Sequence, residues 1–386
     1  MIEEGNVDMT DTSQPERTKL FHLLKAAWPL PVDEFFPLTY PFSPTDHVFT
    51  DARVVVREDE PSSIIAFTLD SQNYREQLAN SRQSRSDAPL TELPHADGSH
   101  YLYEFDTETI KLWCKIFFAE QFDALRHMCG CAEQFVQSLS RCFKWDSRGG
   151  KSGSAFLKTR DDRFVVKQLS RTELDGFSKF APQYFTYLAE CQSALRPTAL
   201  TKIFGYFRIG FKNTHTGRSF KMDFMVMENL LYGRSVDRIF DLKGSTRHRF
   251  VQESGQPHEV LQDENLMQRA QSSPLLVREH SKRILRTALH NDSLFLTEMN
   301  VMDYSLIMAL DTSRNKMVIG IIDYLRTYTW DKRVESFVKE TAILGGGGKG
   351  EPTIITPRQY RMRFLTFLDR NILMTPDPWI QSGWVQ

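Results

Sequence analysis

Met302-Asp303-Tyr304-Ser305-Leu306 and Ile321-Ile322-Asp323-Tyr324-Leu325 decide the reading of this chain. Between the two aspartates lie an apolar run, the polar turn Asp311-Thr312-Ser313-Arg314-Asn315 and a second apolar run. The pattern predicts a hairpin of strands over 304–310 and 316–323. Such a hairpin brings Asp303 and Asp323 to one open end. Two carboxylates at a sheet edge, with a cation supplied from elsewhere, suit Mg2+-assisted phosphoryl transfer. One orients the acceptor hydroxyl and one holds metal on the phosphates. A single strand-end aspartate more often caps a turn; the pair draws its weight from what precedes it.

Upstream, Lys167 stands inside the apolar strand Phe164-Val165-Val166-Lys167-Gln168-Leu169. A lysine there needs an anionic partner unless alternation turns it to solvent. Before it comes Arg148-Gly149-Gly150-Lys151-Ser152-Gly153-Ser154. A P-loop would need glycine where Trp145 stands, and a helix after it. Strands over 155–159 and 164–169 follow instead, so a Gly-rich hairpin covering phosphates fits better, with Gly149, Gly150 and Gly153 letting main-chain N–H groups approach. Met227-Glu228-Asn229-Leu230 sits where a hinge would hold adenine by main-chain bonds, which makes Glu228 and Leu230 candidates. Neither H-R-D nor D-F-G occurs, which argues against a standard protein kinase.

Composition narrows the class. The 386 residues are 41% hydrophobic and 25% charged, a globular balance. No apolar run is long enough to span a bilayer, and the acidic start reads as neither signal nor transit peptide. Five cysteines suit a reduced, cytosolic setting; Cys129-Gly-Cys131 lacks a partner pair at ligand spacing and reads as buried free thiols. Residues 1–140 hold 11 Lys+Arg against 23 Asp+Glu; residues 141–386 hold 37 against 26. The later part is the one that would attract an anionic partner. It carries no stacking platform or RNP-like motif, which argues against nucleic acid.

The rest of the chain is read coarsely. Residues 1–36 are a mobile segment with a short amphipathic helix over 19–36. A strand at 53–58 precedes a buried segment at 62–68 of open identity. Residues 71–100 are a polar linker or loop. Residues 101–105 predict a strand and 107–142 helices; a helix follows at 172–193. Strands are expected at 199–211, 219–227, 235–241 and 246–251, a polar insertion at 252–264, and helices at 276–298 and 357–373.

Three strings together, Asp241-Leu-Lys-Gly-Ser245, Met302-Asp-Tyr-Ser-Leu306 and Ile321-Ile-Asp323, resemble the phosphatidylinositol phosphate kinase family. Arg148-Gly-Gly-Lys-Ser-Gly-Ser-Ala-Phe156, Arg57-Glu-Asp-Glu-Pro-Ser-Ser-Ile-Ile-Ala-Phe67 and Thr341-Ala-Ile-Leu-Gly-Gly346 resemble its type III branch, PIKfyve and its fungal and plant counterparts. The likeness covers roughly residues 45–70 and 101–380. It implies an α+β, two-lobed kinase-like fold with antiparallel sheets: an N-terminal lobe over 37–228, a C-terminal lobe over 229–386, and ATP between them.

It further implies Lys167 on ATP phosphates, Asp303 as the catalytic-loop aspartate, Asp323 as the Mg2+ ligand and Lys243 near phosphate. Residues 324–357 would be the activation or specificity loop. Lys332, Arg333, Lys339 and Lys349 there, with Arg247 and Arg249, suit an anionic headgroup at a membrane surface. The implied reaction is 5-phosphorylation of phosphatidylinositol 3-phosphate at endosomal or vacuolar membranes, with regulatory scaffold proteins as a further partner class. The FYVE and chaperonin-like domains of full-length PIKfyve-type enzymes have no counterpart here, so a catalytic fragment or a shortened relative is expected. The rivals are a phosphoinositide-binding pseudokinase and a kinase for another phosphoinositide.

Overall fold

Alternating burial builds the larger sheet. In the strand Ile110–Ile116, Ile110, Leu112, Cys114 and Ile116 are buried while Lys111 is exposed. Ile110, Trp113 and Ile116 also match a helical spacing, and a helix was expected over these residues. The fold buries the period-two set instead, so the segment is a strand.

The computed structural model describes residues 43–50, 52–84, 99–145, 155–256, 259–325 and 356–376. The chain divides into two compact units, Met1–Asp46 and His47–Gln386. The strands are β1 (Asp46–His47), β2 (Val56–Arg57), β3 (Tyr101–Asp106), β4 (Ile110–Ile116), β5 (Cys142–Trp145), β6 (Phe156–Thr159), β7 (Phe164–Gln168), β8 (Ile203–Asn213), β9 (Ser219–Glu228), β10 (Arg238–Leu242), β11 (Val260–Leu261), β12 (Leu275–Arg278), β13 (Ser305–Asp311), β14 (Lys316–Ile322) and β15 (Ile372–Thr375). Seven of them form one sheet in the order β3-β4-β8-β9-β7-β6-β5, antiparallel throughout. A four-stranded sheet, β11-β10-β13-β14, follows in sequence, and β12 pairs in parallel with β15.

The described helices are α1 (Ser62–Asp70), α2 (Gln72–Ser84), α3 (Ala119–Met128), α4 (Ala132–Leu139), α5 (Arg171–Ser193), α6 (Asp263–Ser272), α7 (Glu279–Glu298) and α8 (Pro357–Asn371). Every residue of α1 from Ser62 to Leu69 is buried. A helix covered on all sides shows no amphipathic period, which is why 62–68 could not be typed from sequence. α2 lies where a polar linker was expected. Only Tyr74 and Leu78, one turn apart, are buried in it, too sparse a stripe to read. The strand expected at 246–251 is irregular, and α6 occupies part of the expected polar insertion.

Aromatic contacts seat α5 on the large sheet and α3 on α5. Phe177 of α5 stacks on Tyr206 of β8 at 4.4 Å, and Phe122 of α3 meets Phe185 edge-on at 5.0 Å. Each such buried ring contributes about 1.5–3 kcal/mol. α5 opens on a capping box of Ser170 and Glu173 and runs through Pro182, whose missing N–H removes one helical bond.

Candidate active site

The register of the large sheet turns Lys167 inward. It pairs with Met225 of β9 and Phe156 of β6, so these side chains share one face. Lys167 is only 4% exposed, and two carboxylates supply the anionic partner it needs. Its Nζ lies 3.1 Å from Glu173 Oε1 and 3.3 Å from Asp323 Oδ1.

The carboxylates differ in kind. Glu173 is fixed: its Oε2 accepts from Ser170 N–H at 2.9 Å. Burial alone would raise its carboxyl, but the Ser170 N–H and the Lys167 ammonium outweigh this and hold it below the usual range. The Asp323 side chain is 46% exposed, at the mouth of a slot walled by Thr201, Ile203, Met225 and Met227. Asp323 has φ of 59°, a left-handed backbone that aspartate tolerates better than most residues.

β14 delivers Asp323 through a strap of residues 199–201. Leu200 bridges Ile321 in parallel, Ile321 N–H donates to Ala199 O at 2.6 Å, and Thr201 N–H donates to Ile321 O at 3.0 Å. Tyr324 Oη donates to Thr201 O from below. Beside the strap, Leu230 lies against Gly320; a Cβ there would sit 2.4 Å from Leu230 Cδ1. Glu228 accepts Lys202 N–H at 2.7 Å with its carboxylate, and its own N–H donates to Lys202 O.

Pairing of Ser305 with Ile322 puts Asp303 and Asp323 at the same end of the β13–β14 hairpin. Asp303 is exposed, at φ 64°, and does not line the Lys167 slot. Beneath it Tyr304 is buried, edge-on to Tyr360 at 4.8 Å and Phe364 at 5.1 Å, and Tyr360 Oη donates to Tyr304 O. α8 thus anchors the turn that presents Asp303.

The Asp241–Ser245 turn closes on a carboxylate of the chain itself. Fully buried Asp263 accepts the N–H groups of Lys243, Gly244 and Ser245, at 2.9, 2.6 and 3.2 Å to Oδ1. These main-chain donors are therefore occupied; the Lys243 side chain is half-buried. Arg249 is also engaged: Nε meets Asp263 Oδ2 at 2.8 Å and Nη2 meets Asp241 Oδ1 at 3.0 Å. Burial works against its charge, but the two carboxylates prevail and push its pKa up. This is a structural cation, and we leave it out of the headgroup site. Arg247 is exposed with no side-chain partner among the described residues.

Gly149, Gly150, Gly153, Lys332, Arg333, Lys339, Lys349 and the segment 1–36 lie outside the described residues. Cys129 is exposed, not buried as expected, and no cluster of three or more metal-ligating side chains occurs among the described residues. Sequence reasoning missed Glu173, although Ser170-Arg-Thr-Glu173 is a capping-box signature. It also missed Asp263, which carries no local signal.

The phosphatidylinositol-4-phosphate 5-kinase family model matches residues 138–317 and 310–371. The chain is 40% identical to 1-phosphatidylinositol 3-phosphate 5-kinase FAB1 of Saccharomyces cerevisiae, over 96% of this chain and 20% of the yeast protein. It is 44% identical to the human 1-phosphatidylinositol 3-phosphate 5-kinase, over 78% of this chain and 14% of that protein. With Arabidopsis thaliana FAB1B the identity is 40%, over 85% and 21%. The chain spans about a fifth of these relatives' length, or less. With most of its sequence covered by these matches and a mixed α+β fold of antiparallel sheets, the chain belongs to the phosphatidylinositol phosphate kinase family.

Proposed function

We propose that this chain transfers the γ-phosphoryl group of ATP to the 5-hydroxyl of phosphatidylinositol 3-phosphate, giving phosphatidylinositol 3,5-bisphosphate. The observation that carries the reading is buried Lys167 held between a fixed and a half-exposed carboxylate. The choice of lipid follows the names of the yeast and human relatives.

In this reading the sheets of residues 37–228 and 229–386 belong to two lobes with ATP between them. Met225, Met227 and Leu230 wall the base, and the main chain at Leu230 bonds adenine, since the Glu228 and Asn229 N–H groups already donate to Lys202 O and Arg163 O. Glu173 holds Lys167 so that its ammonium meets phosphate oxygens; a second cation, Lys243, stands near phosphate. Asp303 accepts the hydrogen bond of the inositol hydroxyl and orients it toward the phosphorus.

Asp323 has a free side toward solvent and stands without a cluster of further ligands among the described residues. That donor set fits Mg2+, which binds through one or two carboxylates, substrate phosphates and water. When bound, the ion neutralises charge on the transferring group. Arg247, with Lys332, Arg333 and Lys349, would meet the headgroup. No described helix is long and apolar enough to cross a membrane, so contact with endosomal or vacuolar lipid would be peripheral.

The test is transfer from labelled ATP, with Mg2+, to vesicles carrying phosphatidylinositol 3-, 4- or 5-phosphate, with Asp323→Ala as control. Product from the 3-phosphate alone, lost in the variant while its melting temperature holds, is the expected result. Full transfer by Asp323→Ala would sink the metal-ligand assignment. Product from another lipid would move the substrate, and ATP binding without transfer would favour the pseudokinase.

A further inference from the structure

Asp292 lies outside the Lys167 slot, yet three parts of the site meet on it. It is fully buried on α7. Its Oδ1 accepts from Tyr187 Oη at 2.6 Å and from Thr198 Oγ1 at 2.8 Å; its Oδ2 accepts from Ala199 N–H at 2.6 Å. Of these connections, the one through Ala199 runs directly to the slot. Tyr187 stands on α5, whose first turn carries Glu173. α7 leads into the turn that presents Asp303. Ala199 opens the strap that bonds to Ile321, two residues before Asp323, and that continues into the slot wall at Thr201 and Ile203.

Burying a carboxylate carries a desolvation penalty, and apolar residues could pack the same helices without it. What the carboxylate adds is direction. Three donors from two segments are held at fixed angles, and one of them is the main chain of the strap itself. Burial pushes the Asp292 pKa up, and the Tyr187, Ala199 and Thr198 donors oppose that rise.

We infer that Asp292 is a positioning residue: through the Ala199 N–H it sets the register of the strap on β14, and so the placement of Asp323 beside Lys167. The consequence for rate rests on the phosphotransferase reading; the consequence for the strap does not.

The test compares Asp292→Ala, Asp292→Asn and Tyr187→Phe in the whole chain. Ile64→Ala, a remote core truncation, serves as a control for lost stability. Amide hydrogen exchange is followed in peptides covering 199–203 and 319–323, and kcat and KM are measured well below each melting temperature. In Asp292→Ala, exchange in both peptides should quicken by about tenfold or more, and kcat should fall by about tenfold or more with KM for ATP within about threefold. Asp292→Asn should retain kcat within about threefold: its carbonyl takes the Ala199 N–H and its amide donates to the two hydroxyls. Tyr187→Phe should lower the melting temperature yet keep kcat, because the Ala199 bond remains.

Unchanged strap exchange in Asp292→Ala would overturn the inference. So would a kcat loss no larger than that of Ile64→Ala at equal loss of melting temperature. If the alanine variant does not fold, Asp292→Leu fills the space without an acceptor and carries the same expectations. A wild-type chain that transfers no phosphate would defeat the phosphotransferase reading, and hydrogen exchange would still decide the role of Asp292.

Discussion

Replacing Glu173 with glutamine isolates the charge beside Lys167. Glutamine serves a capping box as well as glutamate does, so the exchange of bonds with Ser170 survives, including the Glu173 N–H to Ser170 Oγ at 3.3 Å. What is lost is a negative charge 3.1 Å from Lys167 Nζ. At that separation the Coulomb attraction is about 5 kcal/mol for an effective dielectric of about 20. Desolvation offsets most of it, and Asp323 at 3.3 Å remains as a partner. The net loss should therefore be about 1–2 kcal/mol, short of the roughly 3–5 kcal/mol expected when a buried charge keeps no partner.

The rate should suffer more than the stability. Lys167 is then free to follow Asp323 alone, and displacement of about 1 Å at a reacting group costs on the order of 100-fold. Phosphate transfer to lipid vesicles measures kcat, and thermal melts measure stability across pH. The sign of the pH effect follows from the direction of the shift. Glu173 has a folded pKa below its ordinary 4.5. Its charge therefore stabilises fully above that value, and the benefit fades as pH falls through the lower folded pKa. The melting gap between wild type and Glu173→Gln should be full at neutral pH and close on acidification. Wild-type kcat in the variant, or a gap indifferent to acid, would refute the reasoning.

Gly244 has φ of 71°, and a Cβ there would lie 2.7 Å from Phe364 Cα. Gly244→Ala should lower unfolding free energy in urea by about 2 kcal/mol or more, since left-handed strain and a backbone clash add; an unchanged urea midpoint would contradict this. Asp263→Asn removes one of the two countercharges of Arg249 while Asp241 stays at 3.0 Å, so it should cost about 1–2 kcal/mol, read as a drop in melting temperature. Arg247→Ala should change stability by less than about 0.5 kcal/mol. Its KM for phosphatidylinositol 3-phosphate vesicles should rise while ATP binding stays as it was; an unchanged KM would remove Arg247 from the headgroup site.

Some of the site was legible because its signals are local. The turn at Asp311–Asn315 and its flanking apolar runs announce a hairpin, and the hairpin places Asp303 and Asp323. Lys167 was conspicuous as a charge within Val-Val-Lys. β4 misled because Ile110, Trp113 and Ile116 satisfy a helical period while Ile110, Leu112, Cys114 and Ile116 satisfy that of a strand. Only pairing with β3 and β8 chooses between them. α1 gave no period because it is buried all round, and α2 gave none because so little of it is buried.

The order of the motifs, the hairpin that carries the two aspartates, the strand that carries Lys167 and the family resemblance could all be read along the chain. Each depends on residues a few positions apart. Tertiary structure alone decided which charges meet. Lys167 and Asp323 are 156 positions apart, and Tyr187 reaches Asp292 across 105. In one dimension Asp263 and Asp292 look like any surface acid; packing withdraws them from water, and only then must N–H and O–H donors gather around them. The same packing turns Arg249 from a candidate headgroup ligand into a strut, because two carboxylates reach it before any lipid can.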